Sequence, residues 1–260
     1  MRLGTTRWLL AEVLCLTFGL ALASAQQTAW ENYLEAGQKA YEQGDYPEAQ
    51  KMFSAALEEA DKSGPDDPRW AISLAWLIVL NDTQILGPEH PDVATSLNNL
   101  AELYRTQGRY AQAEPLYQRA LAIREKALGP GHPDVATSLN NLAALYYTQG
   151  RYAQAEPLFQ RALAIWEKAL GPEHPDVAQS LNNLAELYVA QGKFTQAEPL
   201  YQRALMVLTR AVGHEHPDVA TMLENYALML RVLNRHDEAE KMEARAQAIR
   251  AKHAQEIPQR

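Results

Sequence analysis

Between residues 87 and 106 the apolar side chains Leu97, Leu100, Ala101, Leu103 and Tyr104 recur at intervals of three and four. That spacing predicts one amphipathic helix. A second apolar series follows Gln107-Gly108-Arg109, with Tyr110, Ala113, Leu116, Tyr117, Ala120, Leu121 and Leu128 in helical register. Pro91 stands where a helix start accepts proline, and Asp92 lies near the positive end of the helix dipole. Gly108 suits a left-handed cap between the two helices, and Gly129 closes the pair. Small alanines facing large leucines and tyrosines let neighbouring helices approach closely. Pro115, repeated as Pro157 and Pro199, lacks a backbone donor and predicts either a kink in the second helix or a late start for it.

The pattern repeats. GPEHPDVATSLNNLAELY begins at Gly87, returns from Gly129 as GPGHPDVATSLNNLAALY, returns from Gly171 as GPEHPDVAQSLNNLAELY, and decays from Gly213 into GHEHPDVATMLENYALML. The interval is 42 residues each time, and the first two copies differ at only five positions. Such self-similarity predicts stacked repeats over 87–128, 129–170, 171–212 and 213–254, with 255–260 as a tail.

The series Leu100, Ala101, Tyr104, Gly108, Tyr110, Ala113, Tyr117 and Ala120 resembles the signature of the tetratricopeptide repeat family, in the 42-residue form of kinesin light chains. Gly37, Gly44-Asp45-Tyr46, Ala49, Phe53 and Ala56 place a further copy over 30–63. The resemblance implies an all-α fold, a right-handed α-solenoid of antiparallel helix pairs. In the last copy Asn234 replaces the turn glycine and Glu243 the aromatic residue, as befits a polar terminal cap.

Residues 64–86 interrupt the array. GPDDPRWAISLAWLIVL resembles the start of a repeat with its second helix missing, so residues 81–89 are expected to run extended back to Pro91. Trp70, Trp76, Leu77 and Leu80 would then either repack into neighbouring helices or form an apolar seam for self-association. At the other extreme, residues 1–25 carry Arg2 and Arg7, an apolar run and small residues at Ala23 and Ala25. This predicts an export signal cleaved after Ala25, giving a periplasmic or secreted protein with no membrane span in the mature chain.

Charge narrows the partners. Thirty-two acidic against 24 basic residues give a net charge of −8, which disfavours nucleic acid. The single cysteine, Cys15, excludes a disulfide framework.

The near-identical copies also mark where variation is tolerated. Thr95/Thr137/Gln179, Glu102/Ala144/Glu186, Arg105/Tyr147/Val189 and Thr106/Thr148/Ala190 fall on one face of the first helix, together with Asn98, Asn140 and Asn182. In tetratricopeptide proteins the corresponding strip lines a concave groove that holds a partner protein or an extended peptide. The resemblance therefore nominates Thr95, Asn98, Glu102, Arg105, Thr137, Asn140, Tyr147, Gln179, Asn182, Glu186 and Arg231 as groove residues. An asparagine amide both donates and accepts, so it can pair with a ligand backbone of any sequence. Asn99, Asn141, Asn183 and Asn225 are expected to hydrogen-bond within the array instead.

His90, His132, His174, His214 and His216 raise a metal hypothesis, but copies one repeat apart lie too far from each other to share an ion, and the one local candidate, His214-Glu215-His216, lacks a third protein ligand. Their expected place is at the start of a helix, just before proline. No nucleophile elbow, metalloprotease helix or phosphate loop occurs. The reading is a non-catalytic scaffold without cofactor or metal. The alternative is a self-assembling structural protein joined through residues 70–80 and the solenoid ends.

Overall fold

The computed structural model describes residues 29–64 and 66–256. The predicted export signal over residues 1–25, with its expected cleavage after Ala25, lies outside the described residues. Eleven helices and no strands occur among the described residues: α1 (29–42), α2 (Tyr46–Asp61), α3 (Pro68–Leu86), α4 (Pro91–Thr106), α5 (Tyr110–Leu128), α6 (Pro133–Thr148), α7 (Tyr152–Leu170), α8 (Pro175–Ala190), α9 (Phe194–Val212), α10 (Pro217–Val232) and α11 (His236–Glu256). The chain divides into two compact bodies, with the boundary between Gln107 and Gly108. None of the described helices is long and apolar enough to cross a membrane.

Local chemistry sets the helix limits. His90, His132, His174 and His216 are N-caps, and each Nδ1 accepts the backbone N–H of Asp92, Asp134, Asp176 or Asp218 at 3.1–3.2 Å. This satisfies one of the donors left over at a helix start, and the following proline removes another. Histidine therefore serves the helix start, as its place before proline suggested. Pro115, Pro157 and Pro199 lie inside α5, α7 and α9, which begin five residues earlier, so the late-start alternative is corrected. In the last pair Asn234 takes over the turn glycine's role at φ 58°. Asparagine tolerates this left-handed backbone better than most residues.

The interrupted segment differs from expectation. Residues 81–86 are not extended; they form the last turns of α3, which stops at Gly87 with φ 91°. The sequence NDTQIL contains no helix breaker, and Thr83 is buried with its hydroxyl 2.8 Å from that of Tyr41. No return crossing is needed, because no helix is missing. The ring planes of Phe53 on α2 and Trp76 on α3 stack at 5.1 Å, each eight residues from the shared loop, as an antiparallel hairpin requires. Trp30 Nε1 donates to Ser73 Oγ at 2.9 Å, so the start of α1 meets the start of α3, and the Tyr41–Thr83 contact brings their ends together. Helices α1 and α3 thus run parallel. Trp76 Nε1 donates to Tyr104 Oη at 3.1 Å while Ser96 bonds to Asp82, which makes α3 and α4 antiparallel. Alternation is preserved throughout the amino-terminal body.

Of the four residues named for a self-association seam, Trp76 and Leu80 are buried, while Trp70 and Leu77 are half-buried. Trp76 is 4% exposed, and Ile72, Val79 and Leu80 are buried beside it. Trp76 fills its own body's core against Phe53 and Tyr41. The exposed large apolar residues of α3 are Ile78, Ile85 and Leu86.

In the carboxy-terminal body the core is the continuous one that stacking predicts. Val135, Leu139, Trp166, Val177, Leu181, Val207, Val219 and Leu223 belong to a single buried cluster. Each fully buried aliphatic side chain contributes about 1.5–3 kcal/mol relative to exposure.

Candidate functional site

Two different polar layers cross the carboxy-terminal body. The first joins successive helix pairs. Tyr146 Oη donates to Glu114 Oε1 at 2.8 Å, and Arg151 Nη1 donates to Glu114 Oε2 at 2.7 Å. One repeat later Tyr188 and Lys193 engage Glu156 in the same way. In the last repeat Tyr226, one helical turn earlier than its counterparts, still reaches Glu198 at 2.9 Å, with Arg235 completing the set. The guanidinium of Arg151, with help from Tyr146, holds the Glu114 carboxyl below the ordinary carboxylate range. Burial alone would raise Glu156, but hydrogen bonds from Lys193 and Gln191 outweigh it and lower the net value. These carboxylates are structural, each matched by a cation.

The second layer lies on the first helices. Asn183 Nδ2 donates to Asn140 Oδ1 of the preceding repeat at 2.9 Å, and Asn225 Nδ2 donates to Asn182 Oδ1 at 3.3 Å. The same face carries Gln179, whose Nε2 donates to Asn183 Oδ1 at 2.9 Å. Asn182 and Asn225 each donate to Glu186 Oε1 at 2.6 Å. Two amides thus converge on one carboxylate oxygen. A recess of about 300 Å3 opens between α8 and α10 over this arrangement, lined by Gln179, Asn182, Asn183 and Glu186 of α8 and Asp218, Thr221, Met222 and Asn225 of α10.

Burial pushes the Glu186 carboxyl above its ordinary value, against the two amide hydrogen bonds. Tyr147 is raised by burial and by the Glu186 charge. Tyr201, stacked on Tyr226 at 5.4 Å, is pushed far above the ordinary tyrosine value, again mainly by burial. The electrostatic signature of this spot is therefore a desolvated carboxylate ringed by amides and phenols.

Of the nominated residues, Asn140, Gln179, Asn182 and Glu186 are brought together by hydrogen bonds, and Tyr147 lies within electrostatic reach of Glu186. Thr137 is exposed on α6 and turns its hydroxyl to Pro133 O at 3.4 Å. Asn182 is only 4% exposed, so its amide serves Glu186 and Asn225. Arg231 is held away on α11's side by Glu243, through two 2.6 Å bonds. In the amino-terminal body Thr95 is exposed, Asn98 is buried, and Glu102 and Arg105 bind each other, with Nε to Oε2 at 2.8 Å.

Asn183 and Asn225 bond between repeats, as expected, yet they also help to form the recess. Two exposed apolar residues escaped the sequence reading: Leu228 (64% exposed) takes the place of Glu186 one repeat on, and Val232 (60%) that of Ala190. Their 42-residue offset from the variable positions was the available signal. Among the described residues no group of three or more histidine, cysteine, aspartate or glutamate side chains is placed to hold a metal ion.

The fold has known counterparts. The crystal structure of BtubC (BKLC) from P. vanneervenii is similar over 92% of this chain and 95% of its own, with 27% identity and a TM-score of 0.64. Crystal structures of nearly identical TPR-like repeats of kinesin light chain type from Podosopora anserina match over 86% of this chain and 95–96% of theirs, at 24% identity and TM-scores of 0.55–0.57. At that identity they speak to the fold alone. Curated protein sequences yield no matching relative. Family models of the tetratricopeptide repeat match residues 34–82, 80–126, 92–163, 134–209 and 180–252, most of the chain. With helix pairs, turn residues and family models in agreement, this chain belongs to the tetratricopeptide repeat family.

Proposed function

We propose that the protein is an exported, non-catalytic scaffold that holds another protein, through an extended segment of it, on the first-helix faces of its repeats. One observation carries this reading. Within the first helices, the positions at which the near-identical copies differ lie on the same face as the amide-lined recess of α8 and α10, whereas the packing positions Leu97, Leu100, Ala101 and Tyr104 recur unchanged in the next two copies. Divergence of the first helices on their accessible face, beside unchanged packing positions, fits selection for a ligand. The repeat family's usual role in protein interaction, and the amino-terminal residues 1–25, support the binding and the export.

The test is capture from the exported fraction of the native host, using the chain beginning at Gln26 and a Gln179→Arg, Thr221→Arg variant. Both substitutions lie at exposed positions, so folding should survive, as circular dichroism would verify. A protein retained by the first and lost by the second supports the groove. Equal retention moves the binding surface elsewhere. Amino-terminal sequencing of the host's own protein should begin at Gln26; an intact Met1 end would defeat the export reading.

A further inference from the structure

The repeats supply an internal control for Glu186. Glu102 on α4 occupies the same place, and the residue one turn later is Arg105, which neutralises it through paired hydrogen bonds. On α8 the corresponding residue is Val189. The intrahelical cation has been replaced by an apolar side chain while the carboxylate has been kept. Among the described residues no lysine or arginine pairs with Glu186, whose only donors are Asn182 and Asn225. Arg231, at the equivalent place on α10, is committed to Glu243. By contrast Glu114, Glu156 and Glu198 each face Arg151, Lys193 or Arg235.

A half-buried carboxylate is costly unless a cation or several donors meet it. Here both amides converge on Oε1, which leaves Oε2 without a donor among the described residues. The cavity beside it, about 300 Å3, is at the lower bound of ligand sites and has room for a side chain more than for a whole small molecule. Its walls hold amides, a threonine and carboxylates, and the Arg250 guanidinium that reaches Thr221 at 3.2 Å is itself paired with Glu224. One helical turn beyond Asn225, exposed Leu228 and then Val232 continue the face. The net charge of −8 favours the approach of a basic segment.

We propose that the recess between α8 and α10 receives the lysine or arginine side chain of an extended partner peptide, with its cationic head on Glu186 and an adjoining apolar side chain of the peptide on Leu228 and Val232. The assignment rests on the groove reading above and sharpens it. The partner's cation takes the role that Arg105 plays for Glu102. Gln179, exposed on the recess, uses its amide nitrogen on Asn183 and offers its amide oxygen to the peptide, while the Thr221 hydroxyl is already engaged by Arg250 at 3.2 Å.

The full chain would be panned against a displayed library of random dodecapeptides, and the best binder synthesised with lysine and with acetyl-lysine at the basic position. Enriched peptides should share a basic residue beside an apolar one, and acetylation should weaken binding about tenfold or more, the usual worth of a charge-assisted hydrogen bond. Glu186→Gln should weaken the lysine peptide similarly and the acetylated one little. Val189→Arg, which rebuilds the Glu102–Arg105 arrangement, should also release the lysine peptide while circular dichroism shows an intact fold. Equal affinity for the two peptides, with binding still lost in Val232→Glu, would overturn the cationic assignment and leave the groove standing. Failure to enrich any peptide, or binding indifferent to both Glu186→Gln and Val232→Glu, would overturn the two readings together.

Discussion

Tyr104 and Tyr146 stand at the same place in adjacent repeats, within almost identical sequence, yet they are held by opposite means. In the amino-terminal body the Tyr104 hydroxyl accepts from Trp76 Nε1 at 3.1 Å and Gln38 Nε2 at 3.2 Å. In the carboxy-terminal body the Tyr146 hydroxyl donates to Glu114, which Arg151 neutralises. The difference lies in the preceding helix. Forty-two residues before Glu114 stands Ile72, and the same distance before Gln118 stands Trp76. One body closes its junction with neutral aromatic packing, the other with an ionic triad. A repeat position fixes geometry, and its neighbour decides the chemistry.

Removing the aromatic centre should have the largest effect. Trp76→Ala forfeits the Phe53 stack and the Tyr104 hydrogen bond, at a cost of about 3–5 kcal/mol. Hydrogen exchange should accelerate in α1–α4 and stay slow in α8–α10, because repeat arrays couple mainly to nearest neighbours. Uniform loss of protection would contradict that picture. Gly37→Ala should also unsettle this body, since a Cβ there would sit 2.5 Å from the buried Phe53 ring, and it should lower the melting temperature.

Tyr104→Phe strands the buried Trp76 N–H and should cost about 1–3 kcal/mol, whereas Tyr146→Phe leaves Glu114 its arginine and should cost less. Urea titrations of the two variants would rank them; a larger loss in Tyr146→Phe would reverse the contrast.

Acid should separate the carboxylates. Glu114 is lowered by Arg151 and Tyr146, so its contribution is present above the ordinary carboxylate range and lost as pH falls through its depressed value. Glu114→Gln should flatten the acid limb of melting temperature against pH. The smallest effect, of opposite sign, is expected at Glu186. Its value is raised by burial, so folding disfavours the charged form and stability is gained as pH falls. Asn182, Asn225, Tyr147 and Tyr201 surround it, with Asp218 at the rim, and none of these supplies a cation. Glu186→Gln should raise the melting temperature slightly at neutral pH, and the gain should vanish in acid. A loss at neutral pH would mean that the carboxylate has an unrecognised internal partner.

Much of this was legible in advance, for physical reasons. Helices α4 to α10 follow from apolar spacing, with histidine-proline starts at α4, α6, α8 and α10 and glycine, or Asn234 after α10, in the turns that follow, all local signals. The variable face was visible because duplicated copies act as their own comparison. Residues 64–86 misled because their first half resembles a first helix, while the 42-residue register belongs to the end at Gly87: α3 spans residues 68–86 as α5 spans 110–128. Sequence similarity and register pointed to different assignments. Asn98 and Asn182 were placed on an accessible face by helical geometry alone, and neighbouring helices bury them.

The sequence by itself determined the all-helical class, the repeat period, the caps and the face on which copies diverge, because each depends on contacts within a few residues or on direct comparison of copies. Tertiary structure decided which aromatic residues became core, that Trp76 would meet Tyr104, and that Glu186 would lie desolvated beside two amides with no cation. Those outcomes depend on which helices pack together across 28 to 43 residues of chain, and burial and electrostatics act through that proximity.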